Sequence, residues 1–494
     1  MAAVKRLSKS RFIAGSQCHL RLWHDIHQRD LATPVDDLAQ FIFDTGHEVG
    51  ELACRRYPSG RLVGGDHLHF DEAIGETRQL MEDGATVLFE AAFEHGGVVA
   101  RADILEKLPT GGWRMIEVKS TTRVKDVFIL DAAIQLWILR GAGLDVRDTC
   151  ILTLDNTFVR TAEAPDPQKL FRLHGIHEEA VGLLDTVGTD VQAMHKVISS
   201  AAPLIEPGDH CHRPYPCPYF AHCTRNAPRM DHGLDELPRL SAEKRAQLDA
   251  SGVREVRDIP PEFPMSFTQH LIRRAVVSNA DIVRGDLAGS LAEIRPPVRH
   301  LDFETFAPAI PRFPGTRPYE GIPFLFSVHT ERDGGQTEHA DYLHERADDP
   351  RRILADRLVQ ALGSKGSICV YSRFEARMIR GLARALPRQA DALARLLPRL
   401  VDLHRIVRRH YYHPGFRGSL SLKTVLPTLT RMHYDDLAVA DGRRASVRYM
   451  EALRTSDEAV RRQTFADLGA YCRRDTAATG ALLAALRKVA ARGS

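Results

Sequence analysis

The chain has 494 residues, 44% of them hydrophobic and 27% charged, with a net charge of +3. That length exceeds one ordinary domain, and the composition supports buried cores, which excludes wholesale disorder. The near-balance of charge excludes a histone-like mass of positive charge but leaves room for local basic grooves.

The opening residues "MAAVKRLSKSRFIAG" contain no apolar run of signal-peptide length. No stretch approaches the ~18 uninterrupted apolar residues of a membrane span. The expectation is a soluble cytoplasmic protein with no membrane partner. In a reducing compartment eight cysteines do not form a disulfide framework, so clustered ones point to metal or reactive chemistry. Cys54, Cys150, Cys369 and Cys472 stand singly in apolar or helical contexts and are read as packing residues.

In chain order, residues 1–225 mix helices with strands and form a first α/β domain. "FDTGHEVGELACRRYP" puts His47 on a glycine-flanked helical segment. "ATVLFEAAFEHGGVVARADILEKLPTGGWRMIEVKST" predicts strand, Gly-Gly hairpin, strand, turn and strand. "DVFILDAAIQLWILRGAG" predicts a helix ended by glycine. Residues 226–296 turn helical and charged, a linker whose helix, Ser-Gly-Val, helix pattern faintly resembles a helix-hairpin-helix. Residues 297–494 form a second α/β unit, with "VRHLDFETF" as a strand and "FADLGAYCRRDTAATGALLAALRKVA" as a terminal helix.

Residues two apart on a strand share a face, so Glu117 and Lys119 project together beside Asp103 on the neighbouring strand. Two carboxylates and a lysine there suit phosphodiester hydrolysis. The acids would hold Mg²⁺ or Mn²⁺, which lowers the pKa of bound water. Lys119 would orient that water, help deprotonate it, or stabilise developing charge. The carbonyl of Val118 and the ring of His47 are further candidate ligands, and Gln135 a candidate contact for a nucleic-acid backbone. His47, Asp103, "EVK" at 117–119 and a following helix with Gln135 resemble the RecB-like PD-(D/E)XK nucleases, the group of the AddB and CRISPR-adaptation nucleases. That resemblance implies a restriction-endonuclease-like fold. Where the family often has Tyr four positions after Gln, this chain has Leu139.

The segment "DHCHRPYPCPYFAHCTR" collects three cysteines. The resemblance implies a [4Fe–4S] cluster held by one cysteine before the nuclease motifs, Cys18, and three after them, Cys211, Cys217 and Cys223. Structural Zn²⁺, with His210, His212 and His222 at hand although no Cys-x₂-Cys pair occurs, and unligated thiols are the alternatives.

In the second unit "HLDFET" places Asp302 and Glu304 on one strand face, and "YCRRDT" places Tyr471 and Asp475 on one helix face. "VYSRFEA" offers Glu375 at a strand-to-helix junction. Four carboxylates could hold two divalent ions ~4 Å apart, with Tyr471 positioning the attacking water. Order and spacing resemble the DnaQ-like DEDD 3′–5′ exonucleases of the tyrosine-containing subclass, which implies an RNase H-like fold of mixed sheet and flanking helices. In the middle motif Ser372, Phe374 and Glu375 replace the family's usual Asn and Phe-Asp. Asp402 is read as a helix cap or supporting acid. "RRHYYHPGFRGSLSLKTVLPTL", which includes Lys423, interleaves aromatics and cations as a nucleotide-stacking surface would, or as an amphipathic cover over the sheet would. The expectation is a DNA-directed nuclease with two sites, acting on single strands or ends. An RNA exonuclease and a nucleic-acid-binding scaffold are the alternatives.

Overall fold

The computed structural model of the chain describes residues 6–65, 69–227, 230–332, 336–439 and 441–492. The fold is α/β, with mixed sheets flanked by helices, and it divides into two compact units. Unit 1 comprises Met1–Ala227 with Pro308–Glu320, and unit 2 comprises Pro228–Ala307 with Gly321–Ser494. Among the described residues no helix is long and apolar enough to cross a membrane.

Unit 1 begins with α1 (Lys9–Gln17), capped by Ser8, and α2 (Asp37–Cys54), capped by Asp36, whose carboxylate accepts the Ala39 N–H at 2.9 Å. Strands β1 (Val87–His95) and β2 (Val98–Lys107) form an antiparallel hairpin. Its turn is Gly96-Gly97, both at positive φ, as a tight hairpin requires. β3 (Trp113–Lys119) pairs antiparallel with β2 and parallel with β4 (Val146–Leu154). The parallel pair needs a crossover, supplied by α3 (Asp126–Gly141), which is apolar nearly all round and therefore buried. β5 (Phe171–Gly175) and the short strands Leu7–Ser8 and Arg61–Leu62 complete a seven-stranded sheet. Residues 308–320, expected in the second domain, belong to unit 1, where Ala309 enters the core with Val49, Phe89, Ile116 and Leu152.

In unit 2, residues 230–296 are no detached linker. Leu248 on α4 (Ala242–Ala250) and Leu271 and Ile272 on α5 (Phe267–Ser278) share one hydrophobic core with Leu482, Leu483 and Leu486. Gly252, at φ 75°, turns the chain after α4, but only a 3₁₀ turn at Val256–Asp258 follows, so the second helix of a helix-hairpin-helix is missing there. The sheet runs β8 (Thr337–Leu343), β7 (Ile322–Glu331), β6 (Val298–Phe306), β9 (Ile368–Val370), β10 (Leu400–Asp402). The first two pairings are antiparallel and the last two parallel. α7 (Phe374–Ala385) follows β9, and α6 (Arg351–Leu362) precedes it. α8 (Leu403–His410) starts at Asp402, whose carboxylate caps it by accepting the Arg405 N–H at 3.1 Å. α9 (Leu422–Leu429), α10 (Gly442–Ala452) and α11 (Glu458–Arg492) complete the unit.

Candidate active sites

The β1–β2 register pairs Phe89 with Ile104 and Ala91 with Ala102, which sets Glu90 opposite Asp103. On the other side β2 and β3 pair as far as Ile104–Ile116, one step short of Asp103 and Glu117. Beyond that step the Asp103 carboxylate itself accepts the Val118 N–H at 2.7 Å, taking the place of a backbone partner. Carboxylates from three adjacent strands therefore meet at the floor of a cleft of about 1250 Å³. Its walls include His47 from α2, Lys119, Tyr215 and Tyr319.

Glu117 is 3% exposed and has three donors: Lys9 Nζ at 2.8 Å, Lys119 Nζ at 2.7 Å and Gln135 Nε2 at 2.6 Å. Lys119 also pairs with Asp131. Burial works to raise the Glu117 carboxyl, but the two ammonium groups overcome it and hold Glu117 well below the usual carboxylate range. Asp103 is pushed up to about 7 by burial and by the neighbouring Glu117 charge. Burial opposes the charge on Lys119, yet Glu117 and Asp131 more than offset it and raise that lysine above its ordinary value. With these acids beside it, the Lys119 side chain is held as an ammonium that donates hydrogen bonds.

Gln135 is a correction. Expected on a nucleic-acid backbone, it is fully buried and its amide instead fixes the second oxygen of Glu117. Lys9, Glu90 and Asp131 were missed. Glu90 was within reach of the sequence, since a hairpin centred on Gly96-Gly97 sets it across from Asp103. Asp131 lies one helical turn before Gln135, whereas Lys9 reaches Glu117 across 108 residues with no local signal.

Cys18, Cys211, Cys217 and Cys223 line one small cavity, joined by His24, His210 and Tyr219. The Gln17 amide fastens α1 to this loop by donating to the carbonyls of His210 at 2.6 Å and Tyr215 at 2.8 Å. Burial raises the Cys217 and Cys223 thiols. Among the described residues, Asp302, Glu304 and Cys472 form the group of three ligating side chains whose atoms lie within 4.8 Å of one another.

In unit 2, β6 delivers Asp302 and Glu304, α11 delivers Tyr471, Cys472 and Asp475, and the first turn of α7 delivers Glu375. Burial raises Asp302 well above the carboxylate range, and Asp475, Glu304 and Glu375 add to it. Glu304 is raised in the same way, by burial and then Asp475. Glu375 is pushed up to about 8, chiefly by burial, and its Oε2 is buried with no hydrogen-bond partner. Burial also raises Asp475, against a hydrogen bond of 2.6 Å from the Tyr434 hydroxyl and the Lys423 charge. The Tyr471 phenol is driven upward by burial and by three carboxylates, so its hydroxyl keeps its proton. Cys472 fills the core but also lies 3.7 Å from Asp302 Oδ2, more than a packing role alone requires. Tyr434 was missed.

Lys423, expected on nucleic acid, lies over the rings of Tyr434 and Tyr471 at 5.2 and 4.9 Å and beside the carboxylates. The aromatic stretch ahead of it is a cover for the core. Tyr411, Tyr412 and Phe416 are 1%, 4% and 0% exposed, so they offer no stacking surface.

A family model described as Domain of unknown function (DUF2779) matches residues 299–421. The match takes in Asp302, Glu304 and Glu375 and stops before Lys423, Tyr471 and Asp475. No curated protein matches the chain.

Proposed function

We propose that the chain is a metal-dependent nuclease with two sites: a RecB-like PD-(D/E)XK site in unit 1 and a DnaQ-like 3′–5′ exonuclease site in unit 2. Its substrate is DNA, as single strands or ends. The observation that carries this reading is the cluster of Asp302, Glu304, Glu375 and Asp475, in which burial raises every carboxyl and neighbouring acids add to it at Asp302, Glu304 and Glu375. Such a cluster is unfavourable in a metal-free fold at neutral pH, and divalent cations relieve it.

Mg²⁺ or Mn²⁺ held by these acids would supply an acidified water and neutralise the departing 3′ oxygen. The chain's own part is positioning. The protonated Tyr471 hydroxyl orients the attacking water, and Lys423 moderates the charge of Glu304 and Asp475. In unit 1, Asp103 and Glu117 are the main ligands and His47 a third. Gln135 and Lys9 hold Glu117 in place, and the Lys119 ammonium faces the developing charge. Cys18, Cys211, Cys217 and Cys223, which line one small cavity, suit a [4Fe–4S] cluster, whose role is to join the two ends of the domain.

The test is hydrolysis of labelled single-stranded DNA, duplex and RNA with Mg²⁺ or Mn²⁺ by the full chain and by separate Asp103→Ala and Asp302→Ala variants. Each variant should lose one activity and keep the other. A chain inert on all three polymers sinks the proposal, and degradation untouched by both substitutions sinks the site assignment. Preference for RNA would move the substrate to the other polymer.

A further inference from the structure

α7 begins at the carboxylate cluster and carries a second pattern. Arg373, the N-cap of α7, and Arg377, Arg380 and Arg384 on α7 follow one another at intervals of four, three and four residues, so the three helical ones share one face that the cap residue extends. All four are exposed, and with Ser372 and Phe374 they alone line a shallow depression of about 510 Å³. The opposite face, with Glu375, Met378, Ile379 and Leu382, is buried.

Several other arginines of unit 2 are taken up by the fold. Arg399 donates to the carbonyls of Leu362, Gly363, Lys365 and Gly366, Arg473 pairs with Asp341, and Arg474 with Asp436. Among the described residues none of the four α7 arginines has an ion-pair partner, and Glu375, the one acid on the helix, points into the core. Like charges at these intervals repel and weaken a helix. The stripe is flanked by Ala376, Gly381 and Ala383, small residues that let a chain approach closely. Arg377 lies over the Phe374 ring at 5.2 Å, and among the described residues no such contact is seen for Arg373, Arg380 or Arg384.

We propose that this arginine ladder is a phosphate track for a nucleic-acid strand leading away from the carboxylate cluster. The inference rests on the nuclease reading of unit 2 and adds to it a path for the substrate. Arg373 sits two residues from Glu375, and the ladder runs ~16 Å along the helix at ~1.5 Å per residue. The ligand chemistry is a single-stranded polyphosphate backbone. Guanidinium groups hold it by bidentate contacts that carry no base specificity.

Binding of fluorescent oligo-dT and oligo-rU to the full chain is measured by anisotropy in EDTA across a salt series. Arg380→Glu with Arg384→Glu should weaken binding at least ~10-fold at low salt. It should also flatten the slope of log K against log salt by ~1.4, two phosphates at ~0.7 each. The double Lys variant should keep the wild-type slope. A local readout separates this track from any binding by unit 1: oligo-dT or oligo-rU should protect Arg380 and Arg384 from an arginine-specific dicarbonyl reagent, read by peptide mass spectrometry. Loss on dT, rU or both supports the track and names the polymer. Unchanged affinity and slope with no protection overturns it, as does loss confined to a poly-glutamate probe, which would mark an acidic protein partner. Because EDTA removes catalysis, a chain that binds through the ladder but cleaves nothing refutes the nuclease reading alone. One that cleaves but ignores the ladder refutes the track alone.

Discussion

Glu375→Gln should stabilise the metal-free protein at neutral pH. The wild-type carboxyl is 3% exposed, its Oε2 has no partner, and it is pushed up to about 8 from an ordinary 4.5. Below pH 4.5 the group is protonated in both folded and unfolded chains and contributes no difference. As pH rises past 4.5 the unfolded chain releases its proton while the folded one keeps it. Stability then falls by ~1.4 kcal/mol per pH unit until about pH 8. At pH 7 the accumulated penalty is about 3 kcal/mol, which glutamine avoids. For a unit of this size that corresponds to roughly 6–12 °C in Tm. The assay is thermal unfolding in EDTA at pH 4 and pH 7. The variant should match the wild type at pH 4, exceed it at pH 7, and gain less from added Mn²⁺. Equal gaps at both pH values, or a variant less stable at pH 7, would refute the electrostatic reasoning.

Three further outcomes follow from the same geometry. Cys18→Ala and Cys217→Ala should lose iron and acid-labile sulfide together and lower the same unfolding transition, that of unit 1. Loss from only one of them would break the long-range staple. Lys9→Met removes one of two ammonium groups from buried Glu117 and should cost about 2 kcal/mol in urea titrations, less than a fully buried broken pair because Lys119 remains. The same variant should bind Mn²⁺ more tightly in unit 1, read by calorimetry. Tyr411→Ala should destabilise unit 2 by ~3–5 kcal/mol, as large buried aromatics do, and leave the salt dependence of DNA binding untouched.

The strands bearing Asp103, Glu117, Asp302 and Glu304, and the helices bearing Gln135, Tyr471 and Asp475, were legible because period and punctuation are local properties. Their direction of facing was legible only where periodicity was strict. Gln135 lies on a helix buried on nearly every side, so its neighbours could not reveal that it turns inward to Glu117. Composition left Tyr411-Tyr412 open between a stacking surface and a cover over the sheet, and burial decides for the cover. The pair is a short strand antiparallel to Ile282–Val283, and the neighbouring Arg408, Arg409 and Arg417 are exposed. Lys9 and the attachment of residues 308–320 are long-range facts. No pattern within a few residues of either encodes its partner. The arginine ladder, by contrast, was fully visible in "SRFEARMIRGLARAL" but was read only for its strand, its helix and Glu375.

The short stretch Pro308–Glu320 also sets a clock on biosynthesis. Unit 1 draws Ala309 into its core and Tyr319 into the wall of its cleft, and the Tyr319 hydroxyl donates to the Ser120 carbonyl. Its remaining residues are complete at Ala227, so the nascent unit waits for roughly 90 more residues, about 5–20 s of translation at ~5–20 residues per second. During that interval the apolar site for Ala309 stays uncovered. A fragment stopped at Ala227 would keep this unfinished state permanently.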